Sequence, residues 1–210
     1  FSSTCAVYKD KLRIVKENSK VKPKSVYGKT KFLGEKFIKE SLKNTTTSYA
    51  ILRYFNVAGA SESGKVGQIS SGDQLFKNLS LASKKQKPTI SVYGGDYNTY
   101  VGTCIRDYIH VSDISKIHLL VLNKIKKNKR SIVLNCGYGK GISVLEGIRA
   151  FQKETKKKFV IRYKPRRKGD MEEIKEDNSR IKKFLNWKPK SHKLKKIVKT
   201  CIKWENSKQY

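Results

Sequence analysis

FSSTCAVY (1–8), SVYGKTKFLGEKFIKESLK (25–43) and YAILRYFNVAG (49–59) are the three stretches that decide the fold. The first is apolar at both ends and reads as a buried strand. The second carries Val26, Phe32, Leu33, Phe37, Ile38 and Leu42 at helical spacing and reads as a helix from about Ser25 to Lys43. The third is strand-like and ends on the polar Asn56 and a Gly turn. Strand, helix and strand in that order imply a parallel crossover. In such sheets ligands collect beyond the carboxyl ends of the strands. Thr4 and Asn56 are therefore expected at or near strand ends facing one crevice.

Tyr27 and Lys31 are four apart on that helix, hence on one face. An ammonium beside a phenol favours the phenolate, and a phenol tuned in this way is a usable general base. With the Thr4 hydroxyl they form a set able to move a proton onto or off a sugar or alcohol oxygen while a nicotinamide takes or returns hydride. The spacing alone also fits a surface Tyr beside a solvated Lys, so the context decides.

The rest of the chain continues an α/β alternation. SESGKVGQISSGD (61–73) reads as a loop, about 74–85 as a helix, TISVYG (89–94) as a strand and DYIHV (107–111) as another. A helix from Ile114 to Lys126, the strand SIVLNCG (131–137) and a helix over GISVLEGIRAFQKE (141–154) follow. FVIRYKPRRKGDMEE (159–173) reads as a strand and a basic loop, and IKKFLNWKP (181–189) as a short helix. Arg166, Arg167 and Lys168 in that loop suit a phosphate. Gly137, Gly139 and Gly141 imitate a dinucleotide fingerprint, but the third Gly is one residue early and no acidic residue ends a following strand. A tight strand-to-helix turn is the better reading.

With 210 residues, 37% of them hydrophobic, the chain can bury the core of one domain or one and a half. No apolar run approaches the roughly 18 residues of a membrane span. The chain opens without an initiator Met and without a signal-peptide pattern, so residue 1 is expected to fall inside a longer natural chain. Four widely spaced cysteines and three histidines suggest no metal centre and no disulfide scaffold; they read as reduced, buried thiols of a cytoplasmic protein. The net charge of +31 raises nucleic acid as a partner. Yet 39 of the 48 cations are Lys, spread over helix faces and loops, whereas a groove reader would use Arg for bidentate contacts. A lysine bias of the solvated surface explains the charge, and no specific nucleic acid partner is expected.

FSSTCAVY, SVYGKTK (25–31), LRYFNVAGA (52–60), GGDYNTYVGTCIRDYIHVSD (94–113), LNCGYGKGISVLE (134–146) and YKPRRKGD (163–170) occur in order, and together they resemble the UDP-glucose 4-epimerase family of extended short-chain dehydrogenases/reductases. The resemblance covers nearly the whole chain. It implies an α/β fold with a Rossmann-like doubly wound parallel sheet, incomplete because the N-terminal strands are missing, and a smaller mixed α/β substrate domain. Residues 1–60 would be the remainder of the NAD-binding domain with the catalytic helix. Residues 61–210 would be the UDP-sugar-binding region, with 103–135 returning to the first domain.

The implied chemistry is reversible inversion at C4 of UDP-glucose and UDP-galactose, with tightly held NAD taking and returning hydride through a 4-keto sugar. Tyr27 would accept and return the 4-hydroxyl proton, Thr4 would hydrogen-bond that oxygen, and Lys31 would bind the nicotinamide ribose. Phe55 matches a residue at the nicotinamide. Asn56 and Gln74 would contact the substrate, Leu75 and Tyr93 would line the uracil pocket, Arg106 and Arg167 would pair with the diphosphate, and Asp170 would accept from ribose hydroxyls. Gln74 stands where the family usually has Asn, Val101 replaces an Asp and Lys9 a Gly. Ile174 falls near the position that gates an N-acetyl group, which implies preference for the unacetylated sugars. The resemblance also implies a homodimer, with the Tyr27 helix as a candidate face.

Cys5 and Ala6 stand where nucleotide-sugar dehydratases place an acidic pair, which speaks against dehydration. UDP-glucuronate epimerase or decarboxylase stays open, as does, outside the enzyme class, a basic RNA-binding scaffold. The segment alone is expected neither to hold NAD nor to turn over, because the Gly-rich turn of the family belongs before residue 1.

Overall fold

The computed structural model describes residues 1–10, 12–70, 72 and 74–207. Its elements run β1 (Ser2–Thr4), a 3-10 turn (Cys5–Val7), β2 (Ile14–Val15), α1 (Val26–Ser41), β3 (Ala50–Tyr54), β4 (Asn56–Ala58), α2 (Leu75–Ser83) and β5 (Thr89–Tyr93). Then come β6 (Ile105–His110), α3 (Val111–Asn128), β7 (Ile132–Cys136), β8 (Gly141–Ser143), α4 (Val144–Thr155), β9 (Val160–Lys164), β10 (Glu173–Glu176), α5 (Ser179–Leu185) and α6 (Leu194–Ser207).

The strand expected over 49–59 is broken at Phe55, and the break organises the fold. Before it, β3 lies between β1 and β7 in a parallel three-stranded sheet, with Thr4 opposite Tyr54 and Tyr54 opposite Cys136. After it, β4 joins a second sheet of order β2-β10-β6-β4, with β8 antiparallel on β6. β5 and β9 form a separate parallel pair. Parallel strands joined through helices make this part of a Rossmann-like arrangement, as the resemblance implied. A crevice opens where the chain changes sheets, as expected at such a switch.

Three cores hold the layers. Phe76, Leu79, Ile148, Phe151, Ile197 and Val198 join α2, α4 and α6. Leu52, Ile117, Val121, Leu134 and Trp187 pack α3 and the segment around α5 on the first sheet. Val7, Tyr8, Val15, Phe55 and Ile174 make a smaller third cluster. Each large apolar side chain contributes roughly 1.5–3 kcal/mol on leaving water.

Several elements depart from the sequence expectation. β1 is short because the Thr4 hydroxyl accepts from Ala6 N at 3.2 Å and starts a turn. Gly141–Ser143 is a strand, and the helix begins after it at a capping box: Ser143 Oγ accepts from Glu146 N, and Glu146 Oε2 accepts from Ser143 N at 2.8 Å. Ser143→Ala is expected to cost about 1 kcal/mol, read as a drop of roughly 2–4 °C in melting temperature. An unchanged melting point would mean that the sheet alone starts α4.

The apolar pattern of α1 is also only half followed: Phe32, Ile38 and Leu42 are half-buried, and Phe32 packs on the third core. Val26 (77% exposed), Leu33 and Phe37 (72%) face outward, while Gly28 and Glu35 are buried. Gly28 is required there, since a Cβ would lie 2.4 Å from the Ala6 carbonyl oxygen.

Candidate functional site

The crevice is a cleft of about 930 Å³ lined by Tyr27, Phe55, Asn56, Gln74, Leu75, Arg106, Arg167 and Asp170 among others. A neighbouring hollow of about 390 Å³ shares Leu75, Cys104, Val144, Arg167 and Asp170 with it and adds Tyr93. Of the eleven residues singled out from sequence, eight therefore meet on one cleft and Tyr93 adjoins it. Thr4 and Lys31 stand outside this lining. Thr4 is buried and its oxygen is engaged by Ala6 N; Lys31 Nζ donates to Ser2 O at 3.0 Å and lies 5.9 Å from the centre of the Tyr27 ring. Tyr27 itself is 56% exposed at the lip.

Each lining residue is placed by a local cause. Phe55 marks the break between β3 and β4, its N–H donating to Cys136 O at 3.2 Å while its ring joins the third core. Asn56 opens β4 opposite Tyr108. Strand alternation turns Arg106 and Asp107 of β6 to opposite faces. Arg106 reaches the cleft, donating to its neighbour Ile105 O at 2.9 Å and lying 3.6 Å from the Asp170 carboxylate. Asp107 turns instead to the loop after β7. Arg167 stacks 3.9 Å from the centre of the Tyr93 ring, and Lys164 Nζ lies 5.8 Å from it. Gln74 precedes α2 without capping it, and its Oε1 accepts from Gln68 Nε2 at 2.9 Å.

Two positions read from sequence differ. Ile174 is buried beside Phe55 in the third core and is not on the cleft lining, because β10 carries it inward against Val7 and Val15. Arg166 of the basic loop turns away from the cleft to Asp96 Oδ1, at 2.8 Å, and stacks on Tyr97.

The glycines after β7 are accounted for by the protein itself. Tyr138 N and Gly139 N donate to Asp107 at 2.9 and 2.8 Å, and Gly137 N donates to Glu176 Oε1 at 2.8 Å. Burial pushes the Asp107 carboxyl up to about 6 despite these N–H groups. Burial and then the Asp107 charge push Glu176 well above the ordinary carboxylate range. Under α1, burial likewise raises Glu35, but hydrogen bonds from Arg53 and Ser3 outweigh it and hold that carboxyl below its ordinary value.

The sequence reading missed the wall supplied by α6. Cys201, Trp204 and Glu205 line the cleft opposite Lys77 of α2, with Lys77 Nζ 2.5 Å from Glu205 Oε1 and both side chains buried. Trp204 Nε1 donates to Gln68 O at 2.9 Å, and Gly67 lies flat against its ring. Leu194, Ile197, Val198, Cys201 and Trp204 recur at helical spacing, and that periodicity was the available signal.

A family model described as NAD dependent epimerase/dehydratase family matches residues 1–137. The chain is 36% identical over 99% of its length to a UDP-glucose 4-epimerase of Azospirillum brasilense, and 38% identical over 98% to UDP-arabinose 4-epimerase 1 of Arabidopsis thaliana. It spans 60% and 50% of those two relatives. A solved UDP-glucose 4-epimerase of Stenotrophomonas maltophila, with bound NAD and formylated UDP-arabinopyranose, superposes with a TM-score of 0.93 at 34% identity, covering 99% of this chain and 62% of that one.

Proposed function

This chain belongs to the NAD-dependent epimerase/dehydratase family, and on that premise we propose that it is the proton-handling and UDP-sugar-binding part of an enzyme that inverts C4 of UDP-glucose and UDP-galactose. The observation that carries this reading is the convergence of Tyr27, Asn56, Arg106, Arg167 and Asp170 on one cleft. Residues 1–60, with 103–135, are the part assigned to the cofactor, and the remainder of 61–210 is the part assigned to the nucleotide sugar.

The residues here suit the nicotinamide end of NAD. Lys31 gives one N–H to Ser2 O, and an ammonium has two more for ribose hydroxyls. Phe55 offers an apolar surface on the cleft. The Gly137–Gly139 loop does not suit the pyrophosphate, because its N–H groups are taken by Asp107 and Glu176. When bound, NAD supplies a hydride acceptor and donor. Tyr27 as the phenolate takes the proton of the sugar 4-hydroxyl and, as the resulting phenol, gives it back, and the Thr4 hydroxyl is the second group assigned to that oxygen.

Arg106 and Arg167 neutralise the diphosphate, for which a planar guanidinium fork is suited. Tyr93 and Leu75 flank the uracil, and Asp170 accepts from the ribose. Arg167→Ala is expected to weaken UDP binding by about tenfold or more, the scale of one charged hydrogen bond. Calorimetry on the complete protein measures this, and an unchanged affinity removes Arg167 from the site. A homodimer is proposed through the exposed Val26, Leu33 and Phe37 of α1.

The deciding experiment gives the complete protein UDP-galactose without added NAD and looks for UDP-glucose. Turnover of UDP-arabinose in its place would favour a pentose substrate, the reading that the 38% identical Arabidopsis relative supports. No turnover of any UDP-sugar overturns the assignment.

A further inference from the structure

Besides Phe32, which packs on the third core, the inward side of α1 carries Gly28, Lys31 and Glu35, whose polar or close contacts reach the strand or turn that carries Thr4 and the strand beside it. Gly28 abuts the Ala6 carbonyl, Lys31 Nζ reaches Ser2 O, and Glu35 accepts from Ser3 Oγ at 2.5 Å. The Glu35 carboxylate also takes both faces of the Arg53 fork, from Nε at 2.9 Å and Nη2 at 2.6 Å. Arg53 lies on β3, two residues before Phe55, and its Nη1 continues to Tyr8 Oη at 3.0 Å and Glu17 O at 3.1 Å. Tyr8 Oη in turn donates to Asn135 Oδ1 at 2.6 Å.

A buried ion pair is weak support for stability, since well-packed apolar groups often serve as well. What it does supply is directional: a bidentate pair with one further donor permits one depth and one rotation of the helix. Tyr27, Lys31 and Glu35 follow each other at four-residue steps, so any slide of Glu35 is passed to Tyr27, whereas Thr4 sits on a separate element.

We propose that Glu35 is a positioning residue, which through Ser3 and Arg53 fixes α1 against β1 and β3 so that Tyr27 and Lys31 stand beside Thr4. Its kinetic consequence rests on the epimerase reading; its geometric consequence does not. A misplacement of about 1 Å at a reacting group can lower a rate by about 100-fold.

The test compares Glu35→Gln, Glu35→Asp and Ser3→Ala in the complete protein, with rates normalised to folded protein and crystal structures of the variants. Glu35→Gln is expected to lower kcat by about 30–100-fold with KM within about twofold, and to move Tyr27 by about 1 Å relative to Thr4. Ser3→Ala, which keeps the ion pair and so the fold, is expected to lower kcat by about 3–10-fold, and Glu35→Asp to recover part of the loss. Folded variants with wild-type kcat, or an α1 that has not moved, overturn the proposal. Should the wild-type protein turn over no UDP-sugar, the epimerase reading fails, and the position of Tyr27 in the crystal structures still decides this one.

Discussion

Tyr27→Phe in the complete protein is expected to lower the rate of 4-epimerisation by about 1,000-fold while leaving UDP affinity within about twofold. Proton transfer by a positioned side chain contributes about 10²–10⁴ to a rate, so the loss corresponds to roughly 4 kcal/mol of barrier. The substitution removes one oxygen and nothing else of size. The ring sits 56% exposed at the lip of the cleft, and the buried residues of α1 are Gly28 and Glu35, not Tyr27. The nucleotide residues Arg106, Arg167 and Tyr93 belong to other elements, so binding and chemistry should separate. Following UDP-galactose conversion and UDP calorimetry side by side gives both numbers. Loss of UDP binding would make Tyr27 structural, and a rate within tenfold of wild type would give its proton-transfer role to another group.

The second large effect concerns pH. Asp107 and Glu176 are both buried against the Gly137–Gly139 loop, Glu17 and Asp177 add negative charge nearby, and Glu176 Oε2 has no hydrogen-bond partner among the described residues. Both carboxyls are raised in the folded protein, so the folded state holds their protons more tightly than the unfolded chain does. Their contribution is therefore fully present below the unfolded value near 4; the Asp107 part is lost as pH climbs through about 6, and the Glu176 part as pH climbs through its own raised value. For Asp107 alone the loss is about 3 kcal/mol. Glu35 has the opposite sign, because its carboxyl is held below the ordinary range; its contribution is lost only as pH falls below about 4. Glu176→Gln keeps an acceptor for Gly137 N and removes the like charge. It should raise the melting temperature at pH 8 and leave it nearly unchanged at pH 4. Denaturant melts across that range check this, and equal shifts at both ends would contradict it.

The order of strand, helix and strand was legible because β1, α1 and β3 each carry a local pattern, and the Tyr27–Lys31 spacing fell on a helix as expected. What was hidden had non-local causes. β2 and β10 are too short to carry a period of their own: β2 exists because it pairs with β10, and β10 because it pairs with β2 and β6. The inward face of α1 could not be read from apolar spacing, since its buried residues answer to Ala6, Ser3 and Arg53 on distant elements. The cleft residues of β4, β6 and the basic loop were legible through family motifs, whereas Lys77 and Glu205 meet across 128 positions that no local window spans. Ile174 was misplaced for the same reason: position along the chain did not reveal which side of β10 faces the core.

The sheet order also sets a timetable for synthesis. β2 pairs with β10 in a register that joins Ile14 to Lys175, and β3 pairs with β7 from Ala50 to Ile132. At roughly 5–20 residues per second a ribosome needs about 10–30 s to deliver β10 after β2. Through that interval the second sheet lacks its central strand, and the nascent chain presents unpaired β2 and β6 edges of the kind that chaperones bind and neighbouring chains capture. Yield of soluble protein should thus depend on translation speed and chaperone supply more than on any single side chain of the mature fold.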